Sequence, residues 1–542
     1  MIQSRAQMLP DLPLPPGRRP IVTAGIITGL FLAALEATVV ATAMPSVIAA
    51  LGGMNHYSWV FSAYLVASTV TVPIWGKLSD LYGRRLFYQI GIAVFLAGSI
   101  LSGVSTSMAQ LIVFRTIQGL GAGALIPLGM TIIGEIFTVH ERARMQGLFS
   151  GVWGLASIVG PLLGGLITDQ WSWRWVFFVN IPFGIASALI IGFGLVEPKR
   201  EGKRSIDYAG ALLLTLSVTI LLLALVEGGG ERGGLLGATN LALLTISAVL
   251  LAGFVVVERR AAEPIVPLSL FRNRVVAIGI GVGFLAGVAM FGAITYVPLF
   301  AQGARGDTAT AAGSLLTPLM LSWVTMSIVG GRLLLRVGYR PMVLTGLALL
   351  TAAFGIFWTF GRTTPRAWLL ADLALLGAGL GLTMLTVLLA VQDSVGRGQL
   401  GIATSMNQFS RSIGGAVGVA VMGAALAVSL HTNLLSTARA SDGALPIGIA
   451  PRLADNPSAL VDPAERAAID PAMLVALQES LAASMRHVFL IGGICAFLGF
   501  LIALFWMPSG VAREEVTYEE GERLVMAEMT TLDPEGEPVV DR

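Results

Sequence analysis

Apolar runs of about 20 residues recur along the whole chain, each long enough to cross the hydrocarbon core of a bilayer. In lipid no water is at hand for the backbone, so only α-helices and closed β-barrels can span it. Barrel strands would alternate apolar and polar residues over roughly ten positions, and this sequence has no such alternation. Charge agrees: 12% of the 542 residues are charged against 55% hydrophobic, too little charge to cover a soluble surface of that size. The expected fold class is an all-α polytopic membrane protein.

Candidate spans lie near 21–43, 57–78, 86–106, 109–133, 145–167, 174–196, 206–227, 237–257, 275–298, 309–331, 341–360, 367–391, 403–429 and 487–508, fourteen in all. One set of short connections collects Arg18/Arg19, Lys77/Arg84/Arg85, Arg142/Arg144, Lys199/Arg200/Lys203/Arg204, Arg259/Arg260/Arg272/Arg274 and Arg332/Arg336/Arg340. The other set carries only a few basic residues, such as Arg232, Arg305, Arg362 and Arg366. The excess of Lys and Arg places the first set, and both termini, in the cytoplasm. An even number of spans requires the termini to share a side. The Pro-rich start reads as a lead-in to a retained first helix, because the apolar run after it is too long for a signal peptide. The single cysteine, Cys495, allows no disulfide framework within one chain. Lys occurs only at Lys77, Lys199 and Lys203 while Arg is frequent, a bias that suggests a GC-rich bacterial gene and hence a bacterial inner membrane.

The chain repeats itself. GKLSDLYGRR (76–85) matches GRLLLRVGYR (331–340) at an offset of 255; Pro45 and Pro298, each closing a span on the outer side, are 253 apart; Gly147 and Gly401 are 254 apart. Three markers at nearly one offset imply two related six-helix halves with spans 7 and 8 inserted between them, an arrangement typical of secondary transporters. The expected organisation is a cytoplasmic N-terminus (1–20), a first six-helix bundle (21–200), the inserted helices 7 and 8 (201–260) and a second six-helix bundle (270–508). That second bundle includes an external segment (430–486) ending in a helix that runs into span 14. An acidic cytoplasmic tail (509–542) reads as disordered.

Several ionisable residues sit where they are costly. Glu36, in LFLAALEATVVATAMP (30–45), is roughly 10 Å inside the outer hydrocarbon edge. An ionised carboxylate there costs about 2.5 kcal/mol or more, so such a group is expected to face a cavity and take up a proton or a cation. The alternative is a structural carboxylate paired permanently with a buried arginine. Arg115 lies at a similar depth, roughly 8 Å, with Gln118 and Gly119 on the same helix face. Asp372, also roughly 8 Å deep in span 12, is a second candidate proton or cation site, with a structural role as its alternative. Arg411, in span 13, is a weaker candidate.

In GVWGLASIVGPLLGGLI (151–167), Gly151, Gly154, Pro161 and Gly165 fall on one helix face, with Gly160 and Gly164 beside it. Such a face permits close helix approach, and Pro161 can bend the helix. In the loop GKLSDLYGRR, Gly76 and Gly83 frame a tight turn, Asp80 can cap a helix or pair with a base, and Arg84 and Arg85 anchor the inner face. The sequence has no phosphate-binding G-x4-G-K-[ST] loop, no H-E-x-x-H zinc site and no G-x-S-x-G nucleophile, so no enzyme, cofactor or metal is expected.

These motifs resemble, over residues 21–508, those of the major facilitator superfamily, specifically its fourteen-helix drug:proton antiporters. GKLSDLYGRR is similar to the superfamily's loop 2–3 signature. LEATVVATAMP resembles the first-helix motif, with Glu36 where that motif usually has Asp. FRTIQGLGAGA resembles the fourth-helix motif whose arginine, here Arg115, is implicated in proton coupling. The stretch around Gly160 and Pro161 resembles the fifth-helix antiporter motif, which separates exporters from symporters. The resemblance implies two rocking halves and a proton-coupled export of hydrophobic or cationic small molecules, including antibiotics. Glu36, Arg115 and Asp372 would carry the coupling, and Asp80 and Arg84 the cytoplasmic gate latch. Leu335 replaces the acid in the second copy of that loop, so the latch should be asymmetric. Phe61, Tyr64, Gln118, Met130, Trp153, Met406 and Asn407 are candidates for the cavity lining. The expected partners are these substrates, protons and the bilayer, with an external partner through 430–486 and no nucleic acid. Export of a specific metabolite or lipid stays open as an alternative, followed by a nutrient symporter or a non-transporting sensor.

Overall fold

The computed structural model describes residues 17–51, 57–137, 139–197, 207–228, 237–261, 263–307, 309–440 and 471–509. Long helices follow one another from end to end: α1 (Arg19–Leu51), α2 (Tyr57–Tyr82), α3 (Arg84–Gly103), α4 (Met108–Ile136), α5 (Val139–Gln170) and α6 (Trp175–Gly194). The inserted pair is α7 (Tyr208–Gly228) and α8 (Ala238–Glu258). Then come α9 (Arg274–Leu299), α10 (Leu316–Val337), α11 (Tyr339–Phe357), α12 (Arg366–Asp393), α13 (Leu400–Ala440) and α14 (Pro471–Trp506). All but α5 carry a described window apolar and long enough to span a bilayer; in α5 many side chains lie outside the described residues.

The helix breaks follow local chemistry. α2 and α3 are separated by Gly83 alone, at φ 111°, and α10 and α11 by Gly338 alone, at φ 88°. Both residues have extended ψ, a combination essentially reserved for glycine. The repeated loop thus recurs as a repeated backbone turn. α4 starts at Ser107, which accepts from the Gln110 amide, while the Gln110 side chain accepts from Thr106 N at 3.0 Å. Asn273 caps α9 by accepting from Val275 N.

Separate apolar cores form in the two halves. Ile26, Tyr88, Phe95, Leu125 and Leu128 bring together α1, α3 and α4, while Val282, Leu347, Phe354, Leu380 and Phe489 join α9, α11, α12 and α14. α7 packs through Leu214, Val218 and Leu222 on Val66 and Val70 of α2 and Met406 of α13, across the joint between the halves. α8 stands outside, with Leu241, Ile246, Val249 and Val256 exposed, as suits a lipid-facing helix.

Some boundaries differ from expectation. α1 does not close at Pro45 but runs on to Leu51, and α9 passes Pro298 before a π-helical turn at Phe300–Ala304. Span 13 was expected to end at 429, yet α13 continues to Ala440, and α14 begins at Pro471. A helix starting at Pro471 runs into span 14, and the segment 430–486 is helical at both of its described ends. Leu430 and Leu434 pack in one buried cluster with Leu477, Leu481 and Met485, and Asn433 donates to Ser484 Oγ at 2.9 Å. Hydropathy falls there while one apolar stripe persists, so the helices outlast the membrane signal. Residues 441–470, the N-terminus before 17 and the tail after 509 lie outside the described residues.

Candidate functional site

Five helices of the first half converge on Glu36. α1 supplies Glu36, 1% exposed, and α4 supplies Arg115, 2% exposed. Arg115 Nη1 donates to Glu36 Oε1 and, at 2.7 Å, to Gln118 Oε1 one turn along the same helix. Arg115 Nε donates to the Val60 carbonyl of α2 at 3.3 Å, and the guanidinium lies over the Tyr64 ring, 4.2 Å from its centroid. From α6, Asn180 Nδ2 donates to the other carboxylate oxygen, Glu36 Oε2. Ser99 of α3 ties the far side together: it accepts from Asn180 Nδ2 at 3.0 Å and from Gln118 Nε2 at 3.2 Å, and donates to the Phe177 carbonyl at 2.8 Å. Gly98 makes this meeting possible, because a Cβ there would strike the Gln118 backbone. Glu36 and Arg115, read from the sequence as lying at similar depth, form one buried ion pair, the contact that the structural alternative for Glu36 also requires.

Such a pair is sensitive to the loss of either member, which leaves a buried charge uncompensated at a cost of about 3–5 kcal/mol. It is not rigidly committed, because Arg115 also holds Gln118, Val60 and the Tyr64 ring. These other partners are neutral, so Glu36 is the group that compensates the Arg115 charge.

A second charged cluster closes the arginine-rich end. Arg84 of α3 is fully buried and pairs with Asp80 of α2, one turn earlier. It also binds Glu135 of α4 at 2.8 and 2.9 Å, and Ser79 Oγ at 2.8 Å. Asp80 then crosses to the second half, accepting from Gly401 N at 3.0 Å and Ile402 N at 2.7 Å. These are first-turn amides of α13, so the carboxylate sits on the positive end of that helix. Glu197, just past α6, accepts from Arg84 N at 2.7 Å and Arg85 N at 3.0 Å and so caps α3. Lys77 reaches Glu263 at 2.9 Å. The second copy of the loop behaves differently: Arg340 donates to the Leu504 carbonyl near the end of α14, at 2.6 Å, and stays within its half.

Asp372 stands apart, 3% exposed, with neither carboxylate oxygen hydrogen-bonded. Arg411 donates to Gln408 of its own helix and lies 3.6 Å from Met384 Sδ. On α5, Gly160 is the point of close approach, its Cα facing Thr38 of α1, whose hydroxyl donates to Ala156 O at 3.1 Å. Gly164 is also buried, whereas a Cβ on Gly151, Gly154 or Gly165 would meet nothing within 4 Å. Among the described residues the close approach is at Gly160, beside the expected face, while Gly151, Gly154 and Gly165 on that face are open; the Pro161 side chain lies outside the described residues.

The candidate lining residues divide as well. Gln118 and Tyr64 belong to the Glu36 cluster. Met406 is packed under α7, and Asn407 donates to Gly279 O of α9 at 3.3 Å, so both serve helix packing instead of a free lining. Met130 is buried in the first-half core and receives Gln392 of α12 on its carbonyl at 3.4 Å. Phe61 is half-buried and Trp153 is 39% exposed. Sequence reasoning missed Asn180, Ser99, Glu135 and Glu197. The signal for Asn180 was its place in VNIP, a polar residue two positions before a proline that has no amide to donate.

The Major Facilitator Superfamily profile matches residues 26–419. The chain is 40% identical over 413 residues to the multidrug transporter protein MdtP of Bacillus subtilis (strain 168), covering 76% of this chain and 75% of that one. It is 35% identical over 499 residues to multidrug resistance protein 3 of the same organism, covering 92% and 96%. The human organic anion transporter MFSD10 (TETRAN) has a similar fold, with a TM-score of 0.57 at 16% identity, over 89% of this chain and 100% of that one.

Proposed function

Because this chain belongs to the major facilitator superfamily and is a multi-pass membrane transporter, not an enzyme, we propose that it exports hydrophobic or cationic small molecules in exchange for protons. The observation that carries the coupling is the buried Glu36–Arg115 pair, in which the acid can be neutralised while the arginine keeps other partners. The substrate class rests on the multidrug names of the relatives.

In this reading the arginine-rich end faces the cytoplasm and both termini with it. Asp80 on the α13 amides and Gln392 on the Met130 carbonyl hold that end shut between the halves. A proton entering from outside neutralises Glu36 and loosens α1 from α4, and alternating access follows as the halves rock. Asp372 is a second acid for the same traffic. The 430–486 segment, helical at its described ends, is an external partner surface.

The experiment is dye efflux from inverted vesicles, driven by an imposed pH gradient, for wild type against Glu36→Gln. Proton-driven efflux in wild type and none in a folded Glu36→Gln supports the reading. Efflux that survives the substitution reduces Glu36 to structure and shifts the coupling to Asp372. No efflux of any dye by wild type favours export of a specific metabolite or lipid.

A further inference from the structure

Asn180 holds Glu36 on the side away from Arg115, and half of its amide has no partner. Its Nδ2 donates to Glu36 Oε2 and to Ser99 Oγ. Its Oδ1 is buried without a hydrogen bond, in a residue that is itself wholly buried. An orphaned buried acceptor costs about 1–3 kcal/mol, so a sealed site should not keep one without reason. The two hydrogen bonds on the Glu36 carboxylate both come from donors, Arg115 on one oxygen and Asn180 on the other. That suits an ionised carboxylate, which only accepts. A protonated Glu36 carries an O–H that needs an acceptor, and in this arrangement neither neighbour presents one.

We infer that Asn180 is a positioning residue that reads the protonation state of Glu36 by turning its side-chain amide over, an inference that rests on the proton-coupling reading above. With Glu36 ionised, Nδ2 faces it. With Glu36 protonated, rotation by about 180° about the last side-chain torsion, which is broad and two-fold, brings Oδ1 to the acid and accepts its O–H. Ser99 follows. Its hydroxyl, which now donates to Phe177 O, swings to donate to Asn180 Oδ1 and keeps the bond from Gln118. The turn moves the unpaired position of the amide from oxygen to nitrogen and frees the Phe177 carbonyl from Ser99, so it occurs only when the proton on Glu36 supplies the new O–H bond. Among the described residues, the charged and titratable groups in contact with the site are Arg115 from α4 and Tyr64 from α2; α3 and α6 contribute the neutral Ser99 and Asn180. Protonation at α1 is thereby relayed to the Phe177 carbonyl, in the turn that opens α6.

The test is pH-difference infrared spectroscopy on the full-length protein in lipid vesicles, with asparagine labelled at the side-chain nitrogen, together with efflux of ethidium. In wild type, acidification should produce a carboxylic-acid band that Glu36→Gln lacks, and with it an asparagine amide shift that Asn180→Leu lacks. Asn180→Leu should lower the proton-driven rate about tenfold and flatten its dependence on external pH, with the KM for ethidium within about twofold. Asn180→Ser, whose hydroxyl both donates and accepts, should recover part of that rate. A Glu36 band with no asparagine shift overturns the relay and leaves proton coupling standing. Unimpaired efflux in Glu36→Gln removes the coupling reading and the relay with it. The wild-type spectrum needs no substitution, so a misfolded Asn180→Leu does not protect the proposal.

Discussion

At the scale of single residues, the two buried acids of the membrane interior have opposite surroundings. Glu36 has donors on both oxygens, and Asp372 has none on either. Removing Arg115 should therefore be expensive: Arg115→Gln leaves Glu36 charged and uncompensated, with an expected loss of about 3–5 kcal/mol. The double variant Glu36→Gln/Arg115→Gln should recover most of it, as in any coupled pair. Melting temperature in detergent checks the recovery, and a deficit indifferent to Glu36→Gln would mean that Arg115 stabilises through packing alone. Asp372 gives the reverse expectation. Replacing an unpartnered buried carboxyl by Leu should stabilise by about 1–3 kcal/mol and raise the melting temperature. If Asp372 also takes part in coupling, the same variant gains stability and loses proton-driven transport.

At the scale of elements, the turns between α2 and α3 and between α10 and α11 are each a single glycine with positive φ. A Cβ at Gly83 would in addition lie 2.8 Å from Glu197 Oε2, the carboxylate that caps α3. Gly83→Ala should thus cost about 1–3 kcal/mol through backbone strain, with the loss of the Glu197 cap on top. Thermal unfolding of Gly83→Ala beside Glu197→Gln measures the two parts, and a neutral Gly83→Ala would rule out the strained turn. The spans, the repeat and this turn were legible in the sequence because the bilayer dictates run length and positive φ selects glycine. Glu36, Arg115, Asp80 and Arg84 were legible because a charge among apolar residues is conspicuous. Asn180, Ser99 and Glu197 were not, since neutral or end-of-helix polar residues follow no period and only the crossing of α3, α4 and α6 gives them a role. The ends of α13 and α14 were missed for a related reason: hydropathy marks where lipid ends, while helix pairing through Leu434 and Leu481 continues past it.

At the scale of the whole molecule, one carboxylate rests on one helix terminus at the joint between the halves at the arginine-rich end, beside the contact of Gln392 with the Met130 carbonyl. Arg84 is shared by Asp80 and Glu135, two acids against one guanidinium, and the amides that open α13 offset the surplus negative charge. Beside this contact Gly76 lies against Ser405, whose buried hydroxyl has no hydrogen bond. Ser405→Cys therefore breaks no bond, and in a Cys495→Ser background it becomes a reporter for the joint. With Asp80 in place the thiol should react slowly with an impermeant maleimide applied to inside-out vesicles, because Ser405 is fully buried. Asp80→Asn removes the charge and one side of the cap, worth about 1–2 kcal/mol, so the labelling rate should rise about tenfold. Gly76→Val should raise it independently, because its side chain would wedge against Ser405 and the Gly401 carbonyl. If Asp80→Asn labels no faster while Gly76→Val does, the halves are held by apolar packing along α2 and α13, and the carboxylate only orders the loop. If both label faster, closure of this end is a balance that the Asp80 cap tips, and its weakening should speed the return of the empty carrier to the side where substrate is taken up.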